Sequence, residues 1–276
     1  MKSVTGYLPR LILCVVGDDA FRKAAESILR GNAIEHEWRP KEPRMEHAFR
    51  CSVVRVRPSL TDQDFQRINQ HTQALYFLSE NYGSDKAAET CHKMIQVGAH
   101  LLRCGGWAMK CESSAVTHSH ERWIQFADLA DQGLHESRVP GASDEQLVAA
   151  RVHFWLACFR AFVQLPIQME DAYYTCGMHL LGQADLIVGN SILEEAATTP
   201  GPHLNAAVEL FEALGLYLLA ESSEEAFRSG HTFRQNDRSP RFRMEWEHCT
   251  GYAADDFLCN PYGRWRFAEI VKRRRT

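Results

Sequence analysis

The sequence predicts an α+β protein, with mixed, mostly antiparallel sheets and helices packed on them. Three observations carry this. Short apolar runs end at glycine, proline or asparagine, as buried strands do. Between them lie segments with apolar residues at i, i+3 and i+4, the stripe of a helix lying on a core. Their order at the start is β-α-β-β-α-β, the ferredoxin-like split unit.

Leu11 to Val16 is a continuous apolar run that stops at Gly17-Asp18-Asp19, a buried strand. Asp18 or Asp19 caps the next helix, which carries Phe21, Ala24, Ala25, Ile28 and Leu29 on one face and ends at Gly31-Asn32. Ile34 to Trp38 reads as a second strand. Phe49 to Val56 alternates as a third, closed by Pro58. Thr61 and Asp64 open a helix that carries Phe65 and Ile68. Ala74 to Leu78 is a strong fourth strand. Ser84 is expected to cap a helix with Ala88, Cys91, Ile95, Gly98, Ala99 and Leu102 inward, ended by Gly105-Gly106. Trp107 to Cys111 is the next strand, and Ser119 to Ala130 an amphipathic helix.

Gly133 to Asp144 is polar, carries Pro140-Gly141 and reads as a linker. Beyond it, Glu145 to Trp155 reads as helix, Phe159 to Ile167 as strand, and Ala172 to Met178 as its antiparallel partner. Leu186-Ile187-Val188 is too short to assign. After the Pro200-Gly201-Pro202 loop comes a helix with Leu204, Ala207, Val208, Phe211, Leu214, Gly215 and Leu218 on one face. Arg241 to Trp246 and Tyr262 to Phe267 close the chain as strands. Two similar α+β halves, 8–132 and 145–270, are expected, with one compact domain as the alternative.

The 276 residues are 45% hydrophobic and 24% charged, an ordinary globular balance with ample core. A net charge of -4 argues against a nucleic-acid footprint over the whole body. The Lys272-Arg273-Arg274-Arg275 tail reads as solvated. No run approaches the length of a membrane span, and no charged region precedes an apolar core at the start, so no signal peptide is expected. The nine cysteines are odd in number and irregularly spaced, so they read as reduced side chains in a cytoplasmic protein.

One segment does not fit the periodic pattern: Tyr173-Tyr174-Thr175-Cys176-Gly177-Met178-His179-Leu180-Leu181-Gly182-Gln183-Ala184-Asp185. It packs a thiol, an imidazole, two phenols and a carboxylate between glycines. Cys176 and His179 could chelate a metal with His118 and His120 as second donors, but two loose pairs lack the spacing of a zinc finger. Cys176 could act as a nucleophile if His179 or His118 served as base. The plainer reading is a cysteine facing the core. Lys110-Cys111-Glu112-Ser113-Ser114, with His118 just beyond, could form a polar pocket rim; the plainer reading is a capped turn. Arg264 and Arg266 could meet a carboxylate or phosphate, or lie on a solvated strand face. Dinucleotide, P-loop, zincin and α/β-hydrolase motifs are absent.

These islands resemble a bacterial family, the domain-of-unknown-function family numbered 4261. The matching stretches are AHLLRCGGWAMKCESS (Ala99 to Ser114), AYYTCGMHLLGQAD, GHTF and NPYGRW, in that order over roughly Ala74 to Phe267. The family brings no established activity. The resemblance implies that Glu112, Ser113, Cys176, Gly177, His179, Gly182, Asp185, Phe233, Asn260, Gly263 and Trp265 lie on shared motifs. Ala115 stands where glycine would be expected, which weakens the case for a tight backbone site there.

The expectation is therefore a non-enzymatic module that binds a protein or small ligand, without cofactor or metal, in a cleft between its halves. Glu112, Ser113, His118, Cys176, His179, Asp185 and Arg264 are the candidate site residues. The alternative is a hydrolase that uses a bound metal or the Cys176 thiol.

Overall fold

The computed structural model describes residues 8–196, 203–220, 227–250, 252, 253, 256 and 259–271. The Pro200-Gly201-Pro202 loop and the Lys272–Arg275 tail lie outside the described residues.

The first part of the chain runs β1 (Ile12–Gly17), α1 (Asp19–Gly31), β2 (Glu35–Pro40), α2 (Met45–Cys51), α3 (Asp62–Asn69), β3 (Gln73–Leu78), α4 (Ala87–Arg103), β4 (Ala108–Cys111) and β5 (Val116–Ser119). Its sheet has the order β2-β3-β1-β4-β5, and every pairing is antiparallel. β1, α1, β2, β3, α4 and β4 make the ferredoxin-like unit. Period-2 alternation splits the sheet residues between two cores. Leu13 and Val15 join Phe21 and Leu29 of α1 and Ile95 and Leu102 of α4. Cys14, Val16, Ala74 and Ala108 face the other way, under Phe49 of α2 and Phe65 and Ile68 of α3.

Two long helices, α5 (His120–Glu136) and α6 (Asp144–Phe162), pack on each other and lead to the second sheet. That part runs β6 (Gln164–Gln168), β7 (Ala172–Cys176), β8 (Asp185–Gly189), α7 (Asn190–Ala196), α8 (Leu204–Ala220), β9 (Thr232–Phe233), β10 (Phe242–Glu247) and β11 (Arg264–Ile270). The order is β6-β7-β8-β11-β10-β9, with β8 and β11 parallel and the other pairs antiparallel. α8 seats Phe211 and Leu214 in a core with Leu186, Val188, Met244 and Phe267. The largest core cluster crosses the whole chain: it joins Leu13 and Trp123 to Phe159, Met178, Leu181 and Leu219.

Two of the three expected N-caps hold, and a further one is found. Asp18 accepts a hydrogen bond from the Phe21 amide, Thr61 and Asp64 form a reciprocal capping box, and Ser119 caps α5. Four local expectations are corrected. Phe49–Val56 is not a strand: Met45 and Phe49 lie one helical turn apart in α2, and Glu46 and Arg50 pair across the same turn at 2.9 Å. Only Val53 keeps an isolated bridge, to Thr117. Phe159 belongs to α6, whose buried positions Ala150, Phe154, Ala157, Cys158, Ala161 and Phe162 keep helical spacing. Gly133 lies within α5 rather than in a linker, because the backbone of α6 crosses it closely: a Cβ there would stand 2.6 Å from the Ala150 oxygen. Ser84 begins a 3-10 turn, Ser84–Lys86, and does not cap α4.

Candidate functional site

The non-periodic segment is the middle of the molecule. After β7, Gly177 turns the chain at φ 110°, Met178–Leu181 form a wholly buried 3-10 turn, and Gly182 turns it again at φ 74° into β8. A side chain at Gly177 would meet the Phe162 oxygen at 2.4 Å, and one at Gly182 would meet the Ser84 Cα at 2.8 Å. Left-handed backbone and close approach both demand glycine here. The turn is held from the first part of the chain, where the Tyr82 hydroxyl donates to the Leu180 oxygen at 2.9 Å.

Asp185 closes this knot. Its Oδ1 accepts from the Thr175 hydroxyl at 2.9 Å and the Met178 amide at 3.2 Å, and its Oδ2 accepts from Asn260 Nδ2 at 2.8 Å. Asn260 also donates to the Gln183 oxygen at 3.0 Å and accepts from the Tyr262 amide at 2.8 Å. Burial pushes the Asp185 carboxyl up to about 6, against these three donors.

Cys176 is buried beside this knot. Burial raises its thiol well above the usual range, and Asp185, Cys111, Asp256 and Cys249 add to the effect. A thiol among carboxylates and thiols is the opposite of an activated nucleophile. His179 is buried in the turn, burial pulls its imidazole down to about 4, and its Nδ1 has no hydrogen-bond partner. Among the described residues no group of three or more His, Cys, Asp or Glu could hold a metal ion.

The second island also stitches strands together. Ser113 Oγ accepts from the Ile12 amide at 2.9 Å and donates to the Arg10 oxygen at 2.8 Å. Glu112 pairs with Lys110 at 2.5 Å. Arg264 begins β11, with its guanidinium 5.9 Å from the Tyr252 ring. The structure thus gathers Cys176, His179 and Asp185 in the central knot, with Arg264 on its border. Glu112 and Ser113 lie at the end of β4.

Of the seven, His118 lines a cleft. It pairs with Met109 across β4 and β5 and donates from Nε2 to the Ala161 oxygen at 3.1 Å. Burial pulls it down to about 4, so it is neutral, and that bond leaves Nδ1 as the acceptor. The cleft lies between the 53–58 segment, β5, α5, α6, β6 and α8. Three arginines enter it. Glu212 of α8 takes a two-pronged bond from Arg57, at 2.9 and 3.1 Å, and a bond from Arg160 Nε at 2.7 Å. Burial alone would raise the Glu212 carboxyl; the two guanidiniums outweigh it and hold it below the ordinary range. Arg122 lies 5.1 Å from the Phe126 ring and donates to Gln125 at 3.1 Å. Among the described residues it makes no ion pair. Burial and the neighbouring Arg160 and Arg57 charges lower its affinity for a proton.

Sequence reasoning missed Arg57, Arg122, Arg160 and Glu212, which are scattered over 155 residues between Arg57 and Glu212. One signal was present. Arg160 stands between Phe159 and Ala161 as the one charge in the apolar last half of α6, and Glu212 directly follows Phe211 in α8, where Glu209 is the other charge. A charge in such a place needs a partner. Comparison with protein families, with curated proteins and with solved structures finds no match.

Proposed function

We propose that the protein is a non-enzymatic binding module, cytoplasmic and related to the bacterial family numbered 4261, that takes a small acidic ligand in the cleft above His118. One observation supports this most directly: over an apolar slot two guanidiniums pair with Glu212, and a third, Arg122, makes no ion pair among the described residues. Charged groups brought together at a partly buried site ordinarily pair off. An excess of one sign in a cleft is what attracts a ligand of the other. In the central knot, by contrast, the carboxylate of Asp185 is bonded from within, by Asn260, Thr175 and the Met178 amide.

The test is a melting experiment with a panel of small carboxylates and phosphates at low salt. A ligand that binds only the folded state raises the melting temperature as its concentration passes its Kd. At least one anion is expected to do so in the native chain and not in Arg122→Gln. Turnover of ester, phosphoester or peptide substrates that disappears in Cys176→Ala would overturn the reading in favour of a hydrolase.

A further inference from the structure

The arginine cleft has two parts of different chemistry. The inner slot holds about 40 Å³ and is walled by Val54, Val56, Phe126, Val163, Leu165 and Val208. That is room for roughly three water-sized groups, so it takes a short aliphatic stub and no ring. The mouth is wider, about 400 Å³, and is lined by Arg57, Arg122, Ser59 and Ser119. Arg57 and Arg122 line both pockets and so stand at the neck where the two adjoin. The first turn of the 17-residue helix α5 opens at the same mouth, with its positive dipole end.

Resting on the binding reading above, we propose that the ligand is a small phosphomonoester, with its phosphoryl group at the neck and a short aliphatic end in the slot. A carboxylate offers two coplanar oxygens, which one guanidinium fork satisfies. Here guanidiniums of three separate elements, the 53–58 segment, α5 and α6, line the slot; Glu212 engages both terminal nitrogens of Arg57 and Nε of Arg160, which leaves their remaining N–H groups and those of Arg122 for the oxygens of a tetrahedral phosphorus. The charge points the same way: across both parts, three arginines against Glu212 and Glu121 leave an excess of one positive charge, which exposed Glu209 near Arg57 opposes from outside the lining. Arg122 is already oriented by Phe126 and Gln125, so little ordering remains to be done on binding.

Titration calorimetry of the full chain with ethyl phosphate, inorganic phosphate and propionate tests this. Ethyl phosphate is expected to bind one to one, tighter than inorganic phosphate and at least tenfold tighter than propionate. Arg122→Gln should weaken it tenfold or more. Arg57→Gln, on a separate segment, serves as a second variant, and circular dichroism confirms that each folds. Propionate binding as tightly as ethyl phosphate would overturn the phosphoryl assignment and leave the binding reading standing. No binding of any of the three at millimolar concentration would overturn the phosphoryl assignment, and the melting panel would then judge the broader reading. Undiminished binding in both variants would overturn the location. Sedimentation with phosphatidate vesicles, without ethyl phosphate binding, would replace the small ligand with a membrane surface.

Discussion

At Asp185 a single side chain ties three segments together, and its chemistry sets two expectations. All three partners reach it as donors: the Thr175 hydroxyl, the Met178 amide and Asn260 Nδ2. Asp185→Asn puts an NH₂ against one of them, so the variant should lose about 1–3 kcal/mol in urea unfolding at pH 7. The pH dependence has a definite sign. Asp185 is raised from 3.8 to about 6 on folding, so its contribution is complete below pH 3.8 and is lost as pH rises through 6. His118 and His179 are lowered from 6.5 to about 4, so theirs is present above pH 6.5 and lost as pH falls towards 4, on the order of 3 kcal/mol each. Two histidines outweigh one aspartate. The urea midpoint should fall between pH 6.5 and 4, and fall more steeply in Asp185→Asn, which lacks the opposing group; a flat profile would contradict the burial of both imidazoles. Gly177→Ala should be severely destabilising, since its φ is left-handed and Phe162 blocks the methyl. The non-periodic text of this segment was legible as special. A core-facing Cys176 was the plainer reading and Cys176 is buried; the bonding of Asp185 to Asn260 was not legible, because sequence spacing does not show which groups satisfy one another.

Among the elements, helix and strand were legible where caps or glycines marked an end and illegible where an apolar run could be written either way. The 49–56 stretch alternates, yet a Glu46–Arg50 pair and a second core beneath the sheet favour the helix. The join of α6 to β6 was obscured because α6 is buried on several sides, against α4, α5 and α8, and so shows little polar face. Gly133 allows a direct test of packing against propensity. Alanine there would gain roughly 1 kcal/mol of helix propensity. Its methyl would also stand 2.6 and 2.7 Å from backbone atoms of α6, which cannot swing aside. Packing should win, and Gly133→Ala should melt lower than the native chain. A higher melting temperature would mean that the α5–α6 crossing is looser than described.

For the whole molecule, the largest core cluster runs from the first sheet through α4, α5 and α6 to the 3-10 turn before β8 and Leu219 of α8, so heat should unfold the chain in one calorimetric transition. Two resolved transitions would show that the 8–132 and 145–270 halves melt separately. No helix among the described residues is long and apolar enough to cross a membrane. The arginine cleft belongs to this scale as well. Its charged residues come from four segments distant in sequence, so it exists only once both parts have met, and no local motif could have announced it.

The parallel pairing of β8 with β11 fixes an order of events in synthesis. β11 lies between β8 and β10, although it is the last described strand to be made. A ribosome delivers the chain from its N-terminus, so the nascent second sheet has a gap at its centre until residue 270 is free. β8 and β10 each wait with an unpaired edge, and Phe211 of α8 waits without Phe267 above it. The first sheet, whose strands are complete by Ser119, has no such delay.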